Sequence, residues 1–289
     1  MFSGEERDVL ISVIIVSYNS FNYLEWNIPV LDRMSFINEI IIVDNGSLID
    51  LEKIKNLSNR YKKVKVNCGE NVGFSQANNL GVELSSSLSE YILFLNPDAI
   101  IDEFNLGLLT ERLDGNPELV AISAVLKSFD FENKKELVHY DSLGIYKSGF
   151  SWKDIVHPND IRIFDELSYP DALCGALILV RKSIVNNLII KDGYFFNPRF
   201  FMYKEDIELS IRLREIGRIA VDHSTQAFHC RGWSSRKKMS RMSRLQSAKN
   251  EVIINFRYDI TSLPYSIFKL SYVFFIEDNL FFLLRLFRS

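Results

Sequence analysis

Cysteine is scarce in this chain. Cys68, Cys174 and Cys230 are all it has, an odd number with no CxxC spacing among them. That leaves no basis for a disulfide framework or a cysteine-built zinc site, and reduced thiols fit a cytosolic compartment. An excess of one charge is also missing. The formal net charge is -3, from 34 basic and 37 acidic residues, so no global field draws the chain to nucleic acid. No uncharged apolar run reaches the roughly eighteen residues of a membrane-spanning helix. The opening residues, Gly4-Glu-Glu-Arg-Asp8 before a short apolar stretch, lack the layout of a signal peptide. Internal repeats and low-complexity linkers are absent. Together these point to a cytoplasmic protein, with contact at the inner face of a membrane left open.

What is present is an alternation of strand and helix patterns over 289 residues, enough for one large α/β domain or two small ones. Val9–Ser17, Glu39–Val43, Val64–Asn67 and Tyr91–Leu95 read as strands buried on both faces, because their apolar runs do not alternate. Helical patterns fall between them at Tyr23–Met34, Leu51–Tyr61 and Phe74–Ser85, with Asp50 and Ser75 as polar residues near helix starts. Repeated β-α-β order predicts a mostly parallel sheet flanked by helices, with ligands at the carboxyl ends of its strands. Further on, Val120–Leu126, Ala176–Val180 and Arg218–Asp222 read as strands. Ile207–Ile216 reads as a helix stopped by Gly217 as a C′ glycine. A catalytic domain over 1–258 and an aromatic-rich helical extension over 259–289 follow from the pattern.

Two stretches set carboxylates beside apolar or aromatic runs, where burial and neighbouring charge can tune them: Tyr91-Ile-Leu-Phe-Leu-Asn-Pro-Asp98 and Phe200-Phe-Met-Tyr-Lys-Glu-Asp206. One carboxylate for a metal and another for proton abstraction are what an inverting sugar transfer needs. Other readings stand beside this. Asp44-Asn-Gly-Ser is also good turn chemistry, Pro-Asp is a common turn after a strand, and acids at a helix start are stabilised by its dipole.

Several blocks occur in order: Ser12-Val-Ile-Ile-Val-Ser-Tyr-Asn19, Glu39-Ile-Ile-Ile-Val-Asp-Asn-Gly-Ser47, Asn71-Val-Gly-Phe-Ser-Gln-Ala-Asn-Asn-Leu-Gly81 and Leu93-Phe-Leu-Asn-Pro-Asp98. Cys174-Gly-Ala-Leu-Ile-Leu-Val-Arg181, Arg199-Phe-Phe-Met-Tyr-Lys-Glu-Asp-Ile-Glu-Leu209 and a lone His229 follow. In this the chain resembles the family 2 glycosyltransferases of the GT-A fold, in their rhamnosyltransferase-like branch. The resemblance implies a nucleoside-diphosphate sugar donor, dTDP- or UDP-linked, lying near Tyr18, Asn19, Asp44, Asn71, Gly73, Asn78, Asn96 and Asp98. It implies a Mg²⁺ or Mn²⁺ ion on Asp98 and His229, Asp206 as general base and Glu205 as its support. The acceptor would be a polysaccharide or a lipid-linked oligosaccharide. Asn96 departs from the family's Asp-x-Asp pattern, because an amide supplies no charge to a cation.

Two rivals remain at this level. A sugar-nucleotide nucleotidyltransferase would show a Gly-rich, basic N-terminal loop, which Val16-Ser-Tyr-Asn-Ser20 does not offer. A non-catalytic nucleotide-sugar or glycan-binding protein would explain Asn96 but not the paired acids. Arg231 to Lys238 reads either as a loop of phosphate-seeking cations (Arg236, Lys237, Lys238) or as a solvated face, together with Arg241 and Arg244. The tail from Pro264 to Phe287 reads as a packed helix, a homodimer contact or an interfacial membrane helix.

Overall fold

The structure, a computed structural model, describes residues 10–230 and 239–277. The basic stretch 231–238 and the end of the tail, with Asp278, Arg285 and Arg288, lie outside the described residues.

The first half alternates as the pattern predicts: β1 (Ile11–Ser17), α1 (Phe21–Arg33), β2 (Ile37–Asn45), α2 (Leu51–Lys55), α3 (Leu57–Arg60), β3 (Val64–Gly69), α4 (Phe74–Leu84) and β4 (Tyr91–Leu95). The chain continues through β5 (Ala99–Ile100), α5 (Glu103–Gly115), β6 (Leu119–Asp130), β7 (Lys135–Ser142), β8 (Ile145–Ser148), β9 (Ser151–Asp154) and β10 (Leu167–Ser168). It then forms β11 (Leu177–Arg181), α6 (Lys182–Asp192), α7 (Glu205–Arg214), β12 (Arg218–His229), α8 (Arg241–Tyr258) and α9 (Leu263–Tyr272). Strand order in the main sheet is β10-β12-β6-β11-β4-β1-β2-β3, with β5 added to β12 and β7 to β6. β3, β2, β1 and β4 run parallel, as do β6 and β12, while β11 lies antiparallel between β4 and β6.

Alternate residues of one strand serve opposite cores, as the pleat requires. Val13 and Ile15 pack with Leu24 and Ile28 of α1 and Leu106 and Leu109 of α5. Ile14 and Val16 pack with Ala77 of α4 and Leu209 and Leu213 of α7. Burial on both faces explains the unbroken apolar runs. A third, smaller cluster joins Ile254 of α8 to Ile145, Ala172, Phe200 and Ile207.

Two local expectations are corrected. The helix expected over Leu51–Tyr61 is two short ones, α2 and α3, broken at Asn56. Asp50 and Ser75 do stand at helix starts, Asp50 just before α2 and Ser75 second in α4, though Asp50 makes no side-chain cap bond and the buried Ser75 hydroxyl has no partner. Gly217 is not a left-handed C′ residue. α7 ends at Arg214 with Glu215 as its cap, and a Cβ at 217 would stand 2.5 Å from Val120 Cγ1. Glycine is needed there because the chain enters β12 hard against the start of β6.

The strand expected over Arg218–Asp222 runs on to His229, through an irregularity between Asp222 and Gln226. α9 packs on α8, and Lys269 Nζ meets Glu251 Oε2 at 2.6 Å. The described part of the tail through Glu277 buries Ser266 and Val273 against the domain and leaves Ile267, Phe268, Phe274, Phe275 and Ile276 exposed. The division drawn at 258 falls between these two helices.

Candidate active site

β4 ends at Leu95, and the chain turns through Asn96-Pro97-Asp98 into β5, which pairs antiparallel with the end of β12 so that Ala99 lies opposite His229. That pairing brings two sequence-distant residues together: His229 Nε2 stands 3.4 Å from Asp98 Oδ1. An imidazole nitrogen and a carboxylate oxygen this close are donor types that would suit one divalent cation between them. Behind the histidine, Asp141 Oδ2 accepts from Nδ1 at 2.8 Å. A carboxylate there fixes the ring and its tautomer and leaves Nε2 facing Asp98. In the metal-free protein burial opposes the imidazolium, but the bonds to Asp141 and Asp98 outweigh it and push the His229 pKa up to about 9, so a cation at Nε2 would take the place of that proton. Among the described residues no group of three or more His, Cys, Asp or Glu is arranged to hold a metal. A cation here would rest on two side chains and on oxygens of a ligand.

The second acidic stretch opens α7. Tyr203 and Lys204 are both left-handed, with φ of 74° and 65°, immediately before Glu205. Such backbone costs about 1–3 kcal/mol per residue and persists where neighbours over-determine it. Asp206 Oδ2 accepts from the Gly175 amide at 3.0 Å and Oδ1 from its own neighbour Ile207 at 2.9 Å. Each oxygen keeps a second lone pair. Burial first, and charge from Asp154, raise the Asp206 pKa, against the lowering effect of these amide bonds. Glu205 is 8% exposed and its Oε2 has no partner. Burial and the adjacent Asp206 push its pKa up to about 8.

Asn96, Asp98, Glu205, Asp206 and His229 line one cavity of about 540 Å³, walled by Ile145, Trp152 and Asp154 from the β8–β9 hairpin. The remaining candidates stand outside its lining. Asp44 ends β2, buried, and accepts from the amide and hydroxyl of Ser47. Asn19 ties the β1 loop to the β2 loop by accepting from Leu48 and Ile49 amides. Tyr18 is 48% exposed beside it. Asn71 accepts from Asn45 Nδ2 and from the Gly73 amide. Gly73 has φ +89°, and a Cβ there would lie 2.6 Å from the Phe201 ring, so the turn before α4 is pressed against the approach to α7. Asn78 donates to Phe74 O inside α4. Asp44 thus ends a strand two places from β4 in the sheet, on the side away from β11.

Residues missed by sequence reasoning are Asp141, Lys204 and Asn250. Asp141 reaches His229 because β7 and β12 both pair with β6. Asn250 donates to Met202 O at 3.0 Å and to Tyr203 O at 2.7 Å. Lys204 Nζ lies 3.1 Å from Glu251 Oε2. No local signal marks any of them.

A strand-end acid, a histidine across a β-bridge and an acid pair at a helix start thus share one cavity, and the fold around them is of the GT-A type. The chain aligns with the crystal structure of GalNAc-T7 with UDP, GalNAc and Mn²⁺ at a TM-score of 0.62 and 16% identity, covering 87% of this chain and 48% of that one. It aligns with S. aureus TarS 1-349 at a TM-score of 0.59 and 16% identity, covering 94% and 74%. The family described as Glycosyl transferase family 2 matches residues 12–168, more than half the chain. The chain belongs to glycosyl transferase family 2. Among curated relatives, the rhamnosyltransferase WbbL of Escherichia coli K12 is 27% identical over 231 residues, 76% of this chain and 82% of its own length. An uncharacterized glycosyltransferase of Haemophilus influenzae is 24% identical over 227 residues, 74% of this chain and 63% of its own length.

Proposed function

We propose that the chain is an inverting, metal-dependent transferase that moves a hexose, with rhamnose favoured, from a nucleoside-diphosphate donor to a glycan or lipid-linked acceptor. The observation that carries this is the shared cavity, in which Asp98 and His229 lie against each other and whose lining also includes Glu205 and Asp206.

The donor lies along the strand ends, its base toward Asp44 and Tyr18 and its diphosphate at Asp98. Asp98 and His229 would hold the Mg²⁺ or Mn²⁺, which would supply positive charge to the departing diphosphate. Asp206 takes the proton of the acceptor hydroxyl on a free lone pair. The acceptor oxygen bonds the anomeric carbon as the bond to the diphosphate breaks on the opposite face. Burial raises the Asp206 pKa and so strengthens it as a base. Glu205 supports it with a second buried carboxyl. The rhamnosyl donor rests on the likeness to WbbL. Among the described residues no helix is long and apolar enough to cross a membrane.

Donor turnover with a panel of UDP-, GDP- and dTDP-sugars, with Mg²⁺ or Mn²⁺ and with EDTA, tests this. Turnover of one sugar nucleotide that EDTA abolishes and Asp98→Ala abolishes is the expected result. Turnover unaffected by both changes overturns the metal assignment, and binding without turnover across the panel supports a non-catalytic protein instead.

A further inference from the structure

We propose that Asn250 is a positioning residue for the base, clamping from α8 the left-handed turn out of which Asp206 projects. The proposal rests on the reading of Asp206 given above. Its basis is one amide nitrogen with two protons and two carbonyls to receive them: Met202 O at 3.0 Å and Tyr203 O at 2.7 Å. The amide cannot easily turn over, because its Oδ1 accepts from Gln246 Nε2 at 3.2 Å, one helical turn back. Asn250 is fully buried, so no water competes for those bonds.

The turn it grips is the strained one. Tyr203 and Lys204 both hold positive φ, and a β-carbon residue in that region needs external support. The next residue along α8 adds a second hold: Glu251 Oε2 takes Lys204 at 3.1 Å and Lys269 of α9 at 2.6 Å. On the other side, Gly73 and Phe74 press against Phe201, with the Phe74 amide donating to Phe201 O. Residues 201–204 are therefore gripped from both flanks, and α7 starts one residue later with Glu205 and Asp206. Release of one grip moves the start of α7, and with it the base, while Asp98, His229 and the strand-end loops stay in place. Asn250 touches no reacting atom in this account; it acts through the backbone of 202–204.

The test is Asn250→Ala in the full chain. Two quantities are read: kcat for the sugar nucleotide that the donor panel selects (dTDP-rhamnose first), and dTDP affinity with Mn²⁺ by calorimetry. Misplacement of a reacting group by about 1 Å costs up to about 10²-fold in rate. The expected result is a kcat lower by roughly 10- to 10²-fold with dTDP affinity within twofold of wild type. Where the alanine variant does not fold, Asn250→Asp, of equal volume but without the donor protons, carries the same test. A folded variant with wild-type kcat overturns the proposal, provided Asp206→Asn is inactive in the same assay. Equal losses in kcat and dTDP affinity also overturn it, since they mark a general fold defect. An active Asp206→Asn removes the base reading, and the proposal falls with it.

Discussion

The amide of Gly175 donates to Asp206 Oδ2 at 3.0 Å, and a Cβ at position 175 would stand 3.2 Å from the Asp206 Cβ. The carboxylate is thus seated on bare backbone, at a distance that any larger residue would crowd. Gly175 lies just before β11, the antiparallel strand beside β4, so the seat is fixed by the sheet that carries Asp98.

Gly175→Ala should therefore displace Asp206 by a few tenths of an ångström and lower kcat by about tenfold, less than a full misplacement would. Steady-state kinetics beside dTDP calorimetry reads this. A fall in KM affinity with kcat unchanged would place the effect on binding instead.

Asp206→Asn should lower kcat by the roughly 10²–10⁴-fold expected for loss of a general base, with donor affinity kept. Glu205→Gln should cost less. Asp206 has the geometry of the accessible base, whereas Glu205 is 8% exposed. Near wild-type transfer by Asp206→Asn beside a dead Glu205→Gln would exchange the two roles.

Asp141→Ala should weaken Mn²⁺-dependent dTDP binding by about 10- to 100-fold, the usual effect of losing the partner of a metal-binding histidine. Binding measured in EDTA should not change. Equal Mn²⁺ dependence in both proteins would mean that the His229–Asp141 bond is a packing feature.

Glu205 ionises near 4.5 when unfolded and near pH 8 in the fold. Between those values the native chain holds the extra proton, so stability is full below about 4.5 and falls as pH rises toward about 8. Glu205→Gln removes that difference. Its melting temperature should decline less than that of wild type over this window in thermal melts. Parallel declines in the two proteins would count against a protonated Glu205.

Arg212→Ala should destabilise the fold by about 3–5 kcal/mol, as loss of one partner of a buried pair does. Glu208 and Arg212 are both buried on α7, 2.9 Å apart, and Asn197 and Tyr258 complete the Glu208 partners. Urea denaturation measures it, and a loss under about 1 kcal/mol would show that the helix relaxes around the gap.

Glu208 and Arg212 also mark where sequence reading stops. The parallel strands were legible because burial on both faces leaves unbroken runs such as Ile40 to Val43. Asp98, Glu205, Asp206 and His229 were singled out by ordered blocks that resemble a known family, and the structure brings the four to one cavity. Asn250 and Asp141 were not. Each is an ordinary polar residue in an ordinary helix or strand, and its meaning comes from a partner about fifty or ninety positions away, brought near by helix packing for Asn250 and by sheet order for Asp141. Gly217 misled for a related reason. A glycine after a helix is read as a cap, while here the neighbour that demands it is Val120.

β8 and β9 form a two-stranded sheet of their own, joined to the rest by the bridge between Ile145 and Ala172 and by backbone bonds at its base. Their residues wall one side of the cavity, while the acids and the histidine stand on the main sheet and α7. Asp154, at the end of β9, also acts on Asp206 through its charge. The wall is thus a source of field as well as a boundary, and a change of charge at that one position would retune a carboxyl that belongs to another layer of the fold.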